Sequence, residues 1–320
     1  MKMYDVAALG ELLVDFTDAG LSQNGMHLFE QNPGGAPANV LTGLSRMHFR
    51  TAFIGKVGSD LNGRFLESVL KREHIDTSGL IVDPNYFTTL SFVSLSKDGQ
   101  RSFSFARKPG ADTMLRREEV KDDILRNTKI FHIGSLSLTN KPSRTATLSA
   151  LETAKKAGCI ISYDPNYRAS LWPSEEKAKE EIRSVLPYVD VIKLSEEETD
   201  FVTPEKDSKA AGKFLSNYGV KAVFITLGKS AAFPVKNVSA VFAAPVPGHA
   251  IDTNGAGDCF CSGILSRICE SSKLLDDLSL KELSQYAHFA NAAASCCIEK
   301  HGAIPSMPTL EQINQRLCAV

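Results

Sequence analysis

Apolar residues in this chain gather in short continuous runs that stop at glycine or a small polar residue. Val6-Ala7-Ala8-Leu9 ends at Gly10, and comparable runs lie at Ala52-Phe53-Ile54, Ile130-Phe131-His132-Ile133, Cys159-Ile160-Ile161, Val189 to Leu194 and Ala222 to Leu227. Runs of this length without alternation predict strands buried on both faces. Between them the spacing becomes helical: Leu61, Phe65, Leu66, Val69 and Leu70 share one face, as do Leu148, Leu151 and Ala154, with Pro142 near the first turn of that helix. Buried strands alternating with amphipathic helices predict a three-layer α/β/α fold around a mostly parallel sheet.

Two segments break the rhythm. Thr89 to Leu95 and Arg101 to Arg107 alternate apolar with polar residues and flank Ser96-Lys97-Asp98-Gly99-Gln100, whose Asp-Gly pair is a hairpin signal. With the stretch around Leu28-Phe29-Glu30 they predict a small antiparallel sheet outside the main one, suited to be a lid or a homodimer contact. No repeat or low-complexity linker divides the chain, so one domain is expected over residues 1–320, with lid strands from about 12–32 and 86–109.

A hydrophobic share of 43%, a charged share of 23% and a net charge of -1 describe an ordinary globular protein without a basic face for nucleic acid. The N-terminal stretch turns acidic at Asp5 and Glu11, which fits neither a signal peptide nor a membrane span and predicts a cytoplasmic protein. The 7 cysteines include no C-x-x-C pair, so reduced thiols are expected rather than a zinc site or a disulfide framework.

The chemistry concentrates in Ile251 to Phe260, IDTNGAGDCF. Gly255-Ala256-Gly257 stands before a helical run in which Phe260, Ile264, Leu265 and Ile268 share a face. Small residues at a helix start let phosphate oxygens reach amides that lack intrahelical partners, and Asp258 sets a carboxylate in the same turn. That pairing suits attack of an alcohol on a phosphoryl group, the acid taking the proton. The alternative is a helix cap beside a tight turn, and this segment alone does not separate the two. A second stretch, Asn32 to Asn39, opens another helix; Gly34 and Gly35 allow a polyol to lie against the backbone, and Asn39 offers a donor and an acceptor. Asp15, after the first strand, adds an acceptor for hydroxyl protons, or else caps a loop. Thr226-Leu227-Gly228-Lys229-Ser230 imitates the tail of a P-loop, but Val223 stands where that motif needs glycine.

GELLVDF, NPGGAPANV, FIGKVGSD, RSFSFARKPGAD, DPNYRASLW, KLSEEE, TLGKS and DTNGAGDCF together resemble the ribokinase-like (PfkB-type) carbohydrate kinases, more narrowly the bacterial fructokinases, over nearly the whole chain. The resemblance implies ATP-dependent phosphorylation of a primary hydroxyl of a free sugar, the 6-hydroxyl of fructose before the rivals 2-keto-3-deoxygluconate and a nucleoside. It implies Asp258 as base, with Gly255, Ala256 and Gly257 as the anion hole. Asp15, Gly34, Gly35, Asn39 and Arg107 would hold the sugar, Arg107 descending from the lid or else pairing with an acid and pinning the hairpin. Asn166, Arg168, Lys193, Thr226, Gly228 and Asn291 would serve the nucleotide, and Glu198 would act through water on its Mg2+. A monovalent cation such as K+ would fall to Asp252, Asn254, Cys297, Lys300, Gly302 and Ser306. Ser195 stands where the wider family has Asn, and Ala231 where many relatives have Gly. A noncatalytic sensor on the same fold would be expected to lose the base or the anion hole, and both are present.

Overall fold

The computed structural model describes residues 2–95, 101–205, 207–228, 232–236 and 239–319. Its strands are β1 (Tyr4–Leu9), β2 (Leu13–Leu21), β3 (His27–Gly34), β4 (Thr51–Gly58), β5 (Asp76–Asp83), β6 (Leu90–Leu95), β7 (Arg101–Ala106), β8 (Thr128–Ile133), β9 (Ile160–Tyr163), β10 (Val191–Ser195), β11 (Ala222–Thr226), β12 (Ala232–Lys236) and β13 (Ser239–Ala240). The α-helices are α1 (Ala36–Arg46), α2 (Leu61–Arg72), α3 (Asp122–Arg126), α4 (Ser143–Lys156), α5 (Glu175–Ser184), α6 (Glu196–Val202), α7 (Ser208–Ser216), α8 (Ala256–Glu270), α9 (Leu280–Cys297) and α10 (Leu310–Cys318).

The main sheet has the order β13-β12-β11-β10-β9-β8-β1-β4-β5. From β11 to β5 every neighbouring pair is parallel, and β12 and β13 add an antiparallel edge. Continuous apolar strands are what a sheet covered on both faces requires. Successive residues of β1 divide between two cores: Val6 and Ala8 pack with Leu41 and Leu44 of α1 and Ile264 and Leu265 of α8, while Ala7 and Leu9 pack with Phe131, Ile161 and Leu151 of α4. Burying each such Leu or Ile stabilises the chain by roughly 1.5–3 kcal/mol. Because the strands run parallel, the turns after β1, β8, β9, β10 and β11 emerge along one edge, where ligands of open α/β sheets bind.

The second sheet has the order β3-β2-β6-β7. It is mixed rather than purely antiparallel, because β2 and β6 pair in parallel while β2–β3 and β6–β7 are antiparallel. A parallel neighbour needs a long crossover, and the chain from β3 through β5 supplies it. The Asp98-Gly99 turn lies outside the described residues, but the backbone on either side pairs from Leu90↔Ala106 to Leu95↔Arg101. Among the described residues no helix is long and apolar enough to cross a membrane.

Candidate active site

The helix start singled out in the sequence is α8, with Gly255 as its N-cap at φ 77. A side chain there would be strained by that dihedral and would lie 2.9 Å from the Ala303 side chain, so the turn needs glycine. A Cβ placed on Gly257 would meet Lys193 Nζ at 3.1 Å. The bare turn therefore opens toward a buried ammonium group as well as toward its own amides. Burial works against that charge, but the carboxylates of Asp164, Glu198 and Asp258 hold Lys193 protonated, above its ordinary range. Its ion pair with Asp164 spans 3.1 Å.

Asp258, one turn into α8, is 7% exposed. Asn39 Nδ2, from α1, donates to its Oδ2 at 2.7 Å. Asn166 Nδ2 donates to its Oδ1 at 3.3 Å from a residue held at φ 45, whose own N–H rests on Asp164 Oδ1. Burial raises the Asp258 carboxyl above the usual aspartate range against the Asn39 bond and the nearby charges of Lys193 and Arg168, while Glu198 adds to the rise. The result is a fixed, desolvated carboxyl whose two oxygens are held by side chains from α1 and from the turn after β9.

The cleft in front of Asp258 is walled by Glu11, Asp15, Gly35, Asn39, Phe105, Leu136, Asn166, Arg168 and Asn254, among others. Gly35, at φ 120, brings the backbone so close to Glu11 that a side chain would run into that residue's carbonyl. Gly34 allows a similar approach, since its Cβ would lie 2.6 Å from Asp15 Oδ2. On the other side of the glycine turn lies an apolar cavity of about 380 Å³, lined by Thr226, Gly228, Val246, Ala256, Gly257, Phe260, Asn291 and Ile298 among others. Asn291 Nδ2 donates to the carbonyls of Ala243 and Ala244 and so ties down the segment that forms one wall. A polar cleft and an apolar slot thus lie on the bare turn of Gly255 to Gly257 and the Asp258 carboxyl beside it.

Two proposed ligand residues turn out to be tied up by protein partners. Glu198 Oε1 accepts from Tyr167 N–H at 2.8 Å and Oε2 from Ser195 N–H at 2.9 Å, which pins the Asn166–Arg168 turn to the start of α6. Arg107 does not line the cleft. It is 5% exposed; Nε donates to Asp112 at 2.8 Å, Nη1 to Thr139 Oγ1 and Nη2 to the Leu136 carbonyl, both at 2.9 Å. β7 ends at Ala106, so the strand alternation that put Arg107 on the face of Phe105 stops one residue short.

The residues expected at a monovalent cation come together behind Gly255. Asp252 accepts from the N–H groups of Asn254 at 2.7 Å and Gly302 at 3.0 Å, and Cys297 Sγ lies 3.0 Å from Ser306 Oγ and 3.9 Å from the Asn254 carbonyl. Lys300 joins the turn by donating its N–H to the Cys297 carbonyl. Ala231 lies outside the described residues. Glu11 was not singled out as a site residue, although an acid directly after a buried strand and Gly10 was a visible signal.

Residues 3–310 match the model described as pfkB family carbohydrate kinase. Probable fructokinase-6, chloroplastic, of Arabidopsis thaliana is 40% identical over 319 residues, covering 98% of this chain and 82% of its own. A fructokinase from Xylella fastidiosa with bound ATP has a TM-score of 0.92 at 30% identity, with 98% of both chains covered. A fructokinase from Vibrio cholerae O395 in fructose-, ADP- and calcium-bound form has a TM-score of 0.89 at 30% identity, covering 98% of this chain and 99% of that one.

Proposed function

The chain belongs to the pfkB family of carbohydrate kinases, and from that premise we propose that it transfers the γ-phosphoryl group of ATP to the 6-hydroxyl of D-fructose. The observation that carries the reading is Asp258, buried between the polar cleft and the bare turn of Gly255 to Gly257 and held by Asn39. Asp258 takes the hydroxyl proton, the sugar oxygen bonds to the γ-phosphorus, and the bond to the bridging oxygen breaks to leave ADP. The first amides of α8 and the Lys193 ammonium receive the charge on the phosphoryl oxygens. Asp15, Gly34, Gly35 and Asn39 hold the sugar; Asn166 and Arg168 flank the phosphates, and Thr226, Gly228 and Asn291 border the nucleotide.

Each Glu198 oxygen accepts one backbone N–H and keeps a further lone pair, so the residue fits a role toward Mg2+ through water. Magnesium arriving with the nucleotide supplies charge neutralisation at the phosphates. The carboxylate of Asp252, the Asn254 carbonyl and the Ser306 hydroxyl form an oxygen-rich set that fits K+, and the same turn supports Gly255. All 7 cysteines are free, which suits the reducing cytoplasm. The lid leaves Leu28, Phe29 and Phe92 exposed, and there we place a homodimer contact.

The test is Asp258→Asn. It keeps the shape of the side chain and removes proton acceptance, so turnover is expected to fall by about 10²–10⁴ while ATP binding persists. A variant with wild-type kcat would remove Asp258 as the base.

A further inference from the structure

Glu11 is 3% exposed, yet it lines the cleft in front of Asp258. Its Oε1 accepts the N–H of Ala36, the first residue of α1, at 2.8 Å. Its Oε2 is buried without a hydrogen-bond partner among the described residues, and so is Oδ1 of Asn39, one turn along the same helix. Buried acceptors are ordinarily satisfied, because leaving them bare costs the desolvation of a polar group. Capping α1 accounts for one Glu11 oxygen and leaves the second unexplained. A polyol in the cleft would bring hydroxyl protons to both acceptors at once.

We propose that Glu11 is a sugar-recognising residue, its Oε2 accepting a hydroxyl hydrogen of the bound substrate while its Oε1 holds the helix that carries Asn39. The substrate hydroxyl, Asn39 and Asp258 are then registered against one rigid element. The inference rests on the sugar-kinase reading of the cleft and adds a specificity residue to it. The electrostatic setting supports the role. Burial pushes Glu11 up to about 7 against the backbone N–H groups of Glu11 itself and Ala36 and the charge of Arg107, while Asp112 adds to the rise. Asp15, Asp258 and Arg168 face the same cleft. A carboxylate so poorly compensated gains from any donor that reaches it.

The test uses Glu11→Gln at pH 8, where Glu11 is ionised; the variant keeps an acceptor for the Ala36 N–H and removes the charged one. The KM for fructose is expected to rise about 10- to 100-fold, the worth of a hydrogen bond to a charged group, with kcat and the KM for ATP moving far less. Monodeoxy analogues of fructose sharpen the test. For the analogue lacking the hydroxyl that Glu11 receives, wild type and variant should have the same KM; for the others the penalty should persist. Fructose-induced thermal protection should weaken in parallel, while ATP-induced protection of the variant reports an intact fold. An equal penalty with every analogue, or a matching rise in the KM for ATP, would overturn the inference and leave the kinase reading standing. A wild-type protein that neither phosphorylates nor binds any sugar would overturn both.

Discussion

Burial raises both the Glu11 and the Asp258 carboxyl, and the consequence for Glu11 can be measured without substrate. With its carboxyl at about 7 against an ordinary 4.5, the folded chain keeps a proton there that the unfolded chain has released. The stability this adds is fully present below the unfolded value and lost as pH rises through 7, a difference on the order of 3 kcal/mol. Glu11→Gln removes the group that must ionise in a dry site. Its melting temperature should therefore exceed that of wild type at pH 8, by more than at pH 5. A difference that is flat with pH, or larger at pH 5, would show Glu11 to be well compensated in the folded state. At this scale the placement of Asn39, Gly257 and Asp258 in the first turns of two helices was legible in the sequence, because small residues before a helical spacing mark a helix start. The sequence did not disclose that Asn39 and Asn166 grip Asp258, since residues so far apart in sequence meet only once the sheet has aligned their turns.

Among the elements, the lid shows where local pattern suffices and where it fails. The alternation of Thr89 to Leu95 and of Arg101 to Arg107 predicts two paired strands, and they pair from Leu90↔Ala106 to Leu95↔Arg101, the second strand ending at Ala106. The parallel pairing of β2 with β6 was not legible, because register between distant strands is set by the intervening chain rather than by either strand. Arg107 follows β7 and ties its end to Asp112, Thr139 and Leu136, the geometry of the alternative in which it pairs with an acid and pins the hairpin. We assign it to anchoring the lid. Arg107→Ala leaves Asp112 buried and unpaired, a loss of about 3–5 kcal/mol, and activity should fall only as far as folded protein is lost in thermal unfolding. A fully stable variant with a selective rise in the KM for fructose would instead put the guanidinium on the sugar. The outer lid face makes a second prediction. Phe92, 39% exposed, stacks on Phe16 at 5.6 Å and meets Phe29 edge-on at 6.0 Å. Phe92→Glu should convert a dimer into the 34.8 kDa monomer in sedimentation velocity. A wild-type protein that is already monomeric at high concentration would end the assignment.

For the whole molecule, the parallel order of the main sheet is what converts scattered motifs into one site. Glu11 follows β1, Leu136 follows β8, Asn166 and Arg168 follow β9, Glu198 follows β10 and Gly228 follows β11, so all reach the same edge. Alternating buried runs and helical spacings made that architecture legible, whereas the antiparallel edge of β12 and β13 was not, being short and carrying Pro234 in β12. Sugar stereochemistry can be read only by an assembled cleft, and under the proposed reading Asp15, Asn39 and Glu11 would read it together. The reaction itself is measured by ADP release from ATP and magnesium across fructose, other hexoses, 2-keto-3-deoxygluconate and nucleosides, with the product identified by phosphorus NMR. A fructose 6-kinase turns over fructose at the highest kcat/KM and leaves a phosphate ester on its C6 oxygen. Turnover with 2-keto-3-deoxygluconate or a nucleoside but not with fructose, or ADP release that no added sugar accelerates, would contradict that assignment.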